Sequence, residues 1–213
     1  MMQLLAISRA TPRQIEHRGQ VMQTGIYKEP VAGEHQVLRL GLPDDCQVDR
    51  VNHGGEDKAI YAYTLENHRY WEECLGLSFP FGQWGENFTV SGMPDETVHV
   101  GDIFRIGSVV LQVTQPRVPC FKLGIKLGDS AFIARFHHSG RVGFYLRVLE
   151  EGVVSAPSPI ELLERDAGGL DIRDAMLALS KGPRQREIIE RALAVPALSA
   201  SWRQSLTKRQ AAL

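Results

Sequence analysis

Asp102-Ile103-Phe104-Arg105-Ile106-Gly107-Ser108-Val109-Val110-Leu111-Gln112-Val113 is the stretch on which the fold turns. Two runs of strand-forming residues flank a two-residue linker with glycine first, which predicts a β-hairpin with a type II′ turn. Working outward, Gln36–Leu40, Asn87–Val90 and Gly143–Leu149 are short bounded runs of the same kind. Met1–Arg9 has a short apolar run without a basic start or a long apolar core, and reads as a first strand rather than a signal peptide. One helix interrupts this region, Leu65–Leu75, with Thr64 as N-cap and Gly76 as stop. Up to residue 157 the chain therefore reads as mostly β with few helices.

Ser155-Ala156-Pro157-Ser158-Pro159 reads as a linker, and the pattern beyond it turns helical. Ser158 and Pro159 form an N-cap and first-turn pair that predicts a helix through Ile160–Glu164. Asp171 is placed to cap a helix reaching Ser180, Pro183 to open one through Ala194, and Ser199 to cap one carrying Trp202 and Leu206. The expected organisation is thus a β domain over 1–157 and a small α-helical domain over 158–213.

The 213 residues carry a formal net charge of -1, with 43% hydrophobic and 23% charged residues. That balance gives no global attraction to nucleic acid. The tail from Pro159 to Leu213 has nine basic and seven acidic residues, an excess of two, too small for a DNA footprint. No run approaches the roughly 20 apolar residues of a membrane span. Cys46, Cys74 and Cys120 are odd in number and widely spaced, with no C-x-x-C, which argues against a disulfide framework and a structural zinc site and fits a reducing, cytoplasmic setting.

The strongest local signal follows the hairpin directly: Gln115-Pro116-Arg117-Val118-Pro119-Cys120-Phe121-Lys122. Two prolines stiffen the segment, and Arg117 and Lys122 flank the thiol. Cations favour the thiolate, the form that binds metals or attacks. The residues alone equally allow Cys120 to be a small buried hydrophobe between solvated charges. In Asn52-His53-Gly54-Gly55-Glu56-Asp57-Lys58, the glycines permit close backbone approach and Lys58 offers a charge for phosphate. His53 has no partner at ligand spacing, and a plain glycine-rich turn is the competing reading. Asp45 and Asp49 are candidates to hold that lysine or histidine. In Gly82–Phe88, Asn87 could meet a heterocycle edge and Glu86 a cation, or both could serve a strand-entry turn. Arg141, between glycines, suits an anion or a solvated turn. His137-His138 would point to opposite faces of a strand, which argues against a metal pair.

Together these segments resemble the MOSC domain, named for the C-terminal part of molybdenum-cofactor sulfurases, and most closely its bacterial YiiM-type members. The resemblance rests on Thr24-Gly25-Ile26-Tyr27-Lys28, Asp49-x-x-x-His53-Gly54-Gly55-x-x-Lys58, Gly85-Glu86-Asn87, Gly101-Asp102, Gln115-Pro116-Arg117-x-Pro119-Cys120 and Gly140-Arg141-x-Gly143-x-Tyr145-x-Arg147-Val148. Asp44–Asp49 departs from the family's Gly-Asp-x-Gln-Ala-Asp by lacking the glycine and carrying Val48. The helical tail is similar to the three-helix domain of YiiM-type proteins.

The resemblance implies a β-barrel-like fold that binds the molybdenum cofactor, molybdopterin, with no pyridoxal phosphate. It implies a reductase of N-hydroxylated compounds, such as N-hydroxylated purine bases, with Cys120 as molybdenum ligand. His53, Gly54, Gly55, Lys58, Asn87, Arg117, Lys122 and Arg141 are the expected cofactor-binding residues, and the pterin phosphate would suit Lys58, Arg117 and Arg141. A flavoprotein or iron–sulfur protein would supply electrons. Two alternatives share the sequence: a persulfide carrier or cofactor-delivery protein, and a non-catalytic module that captures partners through the helical tail.

Overall fold

The computed structural model describes residues 1–48, 54–180 and 182–213. The hairpin forms as its sequence requires: β8 (Ile103–Ile106) pairs antiparallel with β9 (Val109–Pro116). Gly107 takes a φ of 57° while Ser108 stays out of the positive-φ region, the arrangement of a type II′ turn. The other side of β9 pairs with β10 (Phe144–Glu150), which in turn pairs with β6 (Ile60–Thr64). All five residues of β6 are buried, as expected of a strand covered on both faces.

From β6 the chain enters α1 (Leu65–Leu75) and returns as β7 (Phe88–Ser91), parallel to β6. Thr64 caps α1 by accepting from the Asn67 N–H, and Gly76 ends it at φ 64°. β7 lies against β1 (Gln3–Arg9). β12 (Ser158–Glu164) then bridges β1 to β8 and closes a seven-stranded barrel, with β4 (Glu29–Val31) added along the second half of β1. Two small pairs lie outside it: β2 (Arg13–His17) with β3 (Gln20–Thr24), and β5 (Glu34–Val37) with β11 (Gly152–Ser155).

β12 corrects the expected helix over Ile160–Glu164. Ile160 is buried between exposed Pro159 and Glu161, a two-residue alternation. The Ile160 N–H donates to the Met2 carbonyl at 3.0 Å. The open edges of β1 and β8 need a partner, and that demand outweighs the local cap signal. A second correction concerns His137 and His138, which lie on a helix, not a strand. α2 (Phe121–Leu127) ends at Gly128 and α3 (Phe132–Ser139) at Gly140, both glycines left-handed.

Tyr63, Trp71, Trp84, Phe132 and Phe136 form a buried aromatic cluster that fixes α1 and α3 to the barrel. The C-terminal region is helical: α4 (Ile172–Leu177), α5 (Gln185–Ala194) and α6 (Ala200–Gln210). Asp171 and Ser199 cap α4 and α6 as expected, whereas α5 begins two residues after Pro183. Ile172, Met176, Ile188, Ile189, Trp202 and Leu206 are its buried apolar face. Asp102, of the Gly101-Asp102 motif, receives Arg165 at 2.8 Å and the Asp166 N–H at 3.0 Å, so it joins the barrel to the start of this region. Among the described residues no helix is long and apolar enough to cross a membrane.

Candidate functional site

Cys120 stands at the N-cap position of α2, in extended backbone (φ −115°, ψ 162°), just past the end of β9. The Arg117 N–H donates to the Gly143 carbonyl at 3.0 Å, anchoring the intervening Arg117–Cys120 turn to the start of β10. The turn opens onto a cleft enclosing about 590 Å³ of non-atom space, the solvent at its mouth included. Cys120, Arg117, Lys122, Lys58 and Asn87 all line it, so the barrel gathers residues separated by up to 64 positions (122 − 58). Thr24, Gly25 and Ile26 from the end of β3 form another wall.

Arg117 is the decisive group. Its side chain is buried, at 4% exposure for the residue, and among the described residues its Nε and Nη1 have no hydrogen-bond partner. The guanidinium carbon lies 5.3 Å from the centre of the Tyr61 ring, a cation–π approach. Burial works against the charge, but Tyr61, Tyr145 and Cys120 outweigh it and hold the guanidinium above the ordinary arginine range. Each unsatisfied buried donor costs about 1–3 kcal/mol. The arrangement suits an anion in the cleft that takes up both N–H groups.

Asn87 proves to be occupied by the protein. Its Oδ1 accepts the Tyr61 N–H at 3.2 Å, and its Nδ2 donates to Asp45 at 2.8 Å and to the Ser8 carbonyl at 3.4 Å. Asp45 also accepts the Ala10 N–H at 2.9 Å and pairs with Lys28, both side chains nearly out of solvent. Asp45 therefore holds a lysine, but Lys28 rather than Lys58. Burial lowers the Lys28 ammonium below the usual lysine range, with Asp45 acting in the opposite sense.

Glu86 is buried behind this wall. It accepts from His68 Nε2 at 3.0 Å, from the Gly82 and Trp84 N–H groups at 2.7 and 2.9 Å, and from the Thr89 hydroxyl at 3.1 Å. The Trp84 indole N–H donates to His68 Nδ1 at 3.1 Å, so the His68 hydrogen sits on Nε2. Burial opposes ionisation of Glu86, yet these donors hold the carboxyl below its usual value. Glu86 thus rigidifies the Gly82–Asn87 turn, both of its carboxylate oxygens taken up by these donors.

Arg141 lies away from the described lining. Its guanidinium rests 4.5 Å from the Tyr70 ring centre and donates to Asn67 at 3.3 Å. Gly55 adopts φ 89° and offers its carbonyl to the Lys58 N–H at 3.0 Å; neither it nor Gly54 is in the described wall. His53, Asp49 and the intervening segment fall outside the described residues. Sequence reading missed Tyr61, Tyr145, Lys28 and a second thiol, Cys46, all of which line the cleft. Lys28, Tyr145 and Cys46 lie within the quoted motifs, whereas Tyr61 is brought to the cleft by β6.

A family model for the MOSC domain matches residues 49–161, and one for the YiiM-like, 3-alpha helix domain matches 172–211. The chain belongs to the MOSC family. The protein YflK of Bacillus subtilis (strain 168) is 39% identical over 207 residues, 97% of this chain and 94% of YflK. The crystal structure of YiiM from Geobacillus stearothermophilus superposes with a TM-score of 0.84 at 36% identity, covering 99% of this chain and 100% of that one. A protein named Reductase from Gibberella moniliformis (strain M3125 / FGSC 7600) is 32% identical over 154 residues, 69% of this chain but only 27% of the fungal protein. The MOSC barrel is therefore what brings the thiol and the cations to one cleft.

Proposed function

We propose that this MOSC protein binds the molybdenum cofactor and reduces N-hydroxylated small molecules, with Cys120 as the metal's protein ligand. The observation that carries the reading is Arg117: a buried guanidinium whose Nε and Nη1 have no partner among the described residues, lining the same cleft as a thiol, Lys58 and Lys122. A phosphate-bearing cofactor with a soft metal needs that combination, since guanidinium matches phosphate and thiolate matches the metal. Arg117, Lys58 and Lys122 would hold the phosphate end and Cys120 the metal. When bound, the cofactor supplies the two-electron chemistry. The protein's own residues bind, orient and shield it. The similarity to a protein named Reductase supports the reaction class. We assign the electron supply to a separate flavoprotein or iron–sulfur protein, and the odd number and wide spacing of the cysteines agree with a reducing compartment such as the cytoplasm. Protein purified from a host that makes the cofactor should contain molybdenum and turn over hydroxylamines with an electron donor. Absence of turnover in molybdenum-loaded protein would remove the reductase assignment.

A further inference from the structure

The 3₁₀ turn Glu56–Lys58 presents Lys58 to the cleft and Asp57 to the C-terminal region. Asp57 Oδ2 accepts the Ala200 N–H at 2.9 Å, at the opening of α6, and its Oδ1 accepts Arg147 Nη2 at 2.7 Å. The same Arg147 nitrogen donates to the Ala197 carbonyl at 2.9 Å. The Asp57 carbonyl accepts the Thr114 hydroxyl at 2.6 Å. One turn of chain, Ala197–Ala200, therefore grips the back of Lys58's turn.

That segment also grips the strand leading to Arg117. The buried Ser199 hydroxyl donates to Gln115 Oε1 at 2.6 Å while accepting the Trp202 N–H at 3.2 Å, and the Ser199 N–H donates to the Thr114 carbonyl at 3.2 Å. Gln115 is absent from the described lining of the cleft although it opens the Gln115-Pro116-Arg117 motif. Its Oε1 is spent on the C-terminal region, while its Nε2 donates to the Pro116 carbonyl at 3.2 Å.

We infer that Asp57 and Ser199 are positioning residues of the cleft: through them the turn opening α6 sets Lys58 against Arg117. The helical region is on this account a working part of the anion site, not an appended docking module. The inference rests on the reading of the cleft as a phosphate site, and hydrogen-bonded supports of this kind are worth about 10–100-fold in affinity for what they position.

The test uses the full-length chain, inorganic phosphate as titrant in calorimetry, and molybdenum analysis of the same preparations. Asp57→Asn is the sharpest variant. Removing a negative charge beside Lys58 would by Coulomb attraction alone tighten phosphate binding; loss of positioning weakens it, by about tenfold on the magnitude above. Ser199→Ala should weaken it similarly, and Ser199→Thr, which keeps the hydroxyl, should restore it. Thermal unfolding checks that each variant is folded, and Asp57, on the surface side of the turn, carries the test if Ser199→Ala is not. Equal or tighter phosphate binding by Asp57→Asn overturns the inference. So does a wild-type protein that binds no phosphate. Phosphate binding without molybdenum would sink the proposed cofactor while leaving the positioning comparison readable.

Discussion

Two buried charges give the molecule's sharpest residue-scale expectations. Arg117 lines the cleft and has two buried nitrogens, Nε and Nη1, without a partner among the described residues, so the shape of its fork matters as well as its charge. Arg117→Lys retains a cation but loses the paired donors, and phosphate affinity should fall by about 10–100-fold, the worth of one or two charge-assisted hydrogen bonds. Calorimetric titration checks it, and unchanged affinity would show that the fork does not touch the anion. Asp95 is the other case. Its Oδ2 takes the Asn67 amide at 3.0 Å and the Val142 and Gly143 N–H groups at 2.9 and 3.1 Å, while Oδ1 has no partner among the described residues. Burial raises its carboxyl from 3.8 to about 6 despite those donors. The folded state thus holds its proton to higher pH than the unfolded chain does. The stability linked to that proton is present in full below about pH 4 and is lost as pH rises through 6, amounting to about 3 kcal/mol. Asp95→Asn should flatten stability between pH 4 and 6 in denaturant titrations; an unchanged slope would assign the pH dependence to other groups.

At the scale of elements, β12 decides whether the barrel closes. Ile160→Pro removes the N–H that bonds the Met2 carbonyl and should cost about 3 kcal/mol or more in urea unfolding. In the first turn of a helix the same substitution would be nearly free, so the measurement separates the two readings of Ser158–Glu164. That segment was misread because Ser-Pro followed by Ile-Glu-Leu-Leu-Glu satisfies a helix start, and its alternation becomes decisive only once the strand edges it must pair with are known. The hairpin of β8 and β9, the capped helix α1 and the starts of α4 and α6 were legible because turn and cap chemistry is local. α2 and α3 were not: they are short, α2 carries Gly124 inside it, and a Cβ there would sit 3.1 Å from the Asp129 carbonyl oxygen. The glycine answers to the close approach of the connecting turn and of Ile133 on α3, 3.3 Å from such a Cβ, which no local pattern displays.

For the whole molecule, the barrel turns scattered motifs into one cleft. Cys120, Arg117, Lys122 and Lys58 were readable as candidates because cationic flanks and glycine-rich turns are local signals. Asn87 and Glu86 looked like ligand contacts for the same reason, yet their polar atoms are consumed inside the fold: Asn87 by Tyr61 of β6, Ser8 of β1 and Asp45, Glu86 by His68 of α1, its own turn and Thr89. Arg141 lies on a tyrosine, and Arg147 and Gln115 serve the C-terminal region; each role depends on contacts 50 or more residues distant in sequence. The family match fixes the MOSC architecture; the cleft's contents are the open claim. Elemental analysis of freshly purified protein from a cofactor-producing host, wild type beside Cys120→Ser, addresses it most directly. The account predicts a molybdenum-to-chain ratio near unity in wild type and a substantial loss in Cys120→Ser, with the variant still folded. No molybdenum in wild type, or equal molybdenum in both, would contradict it.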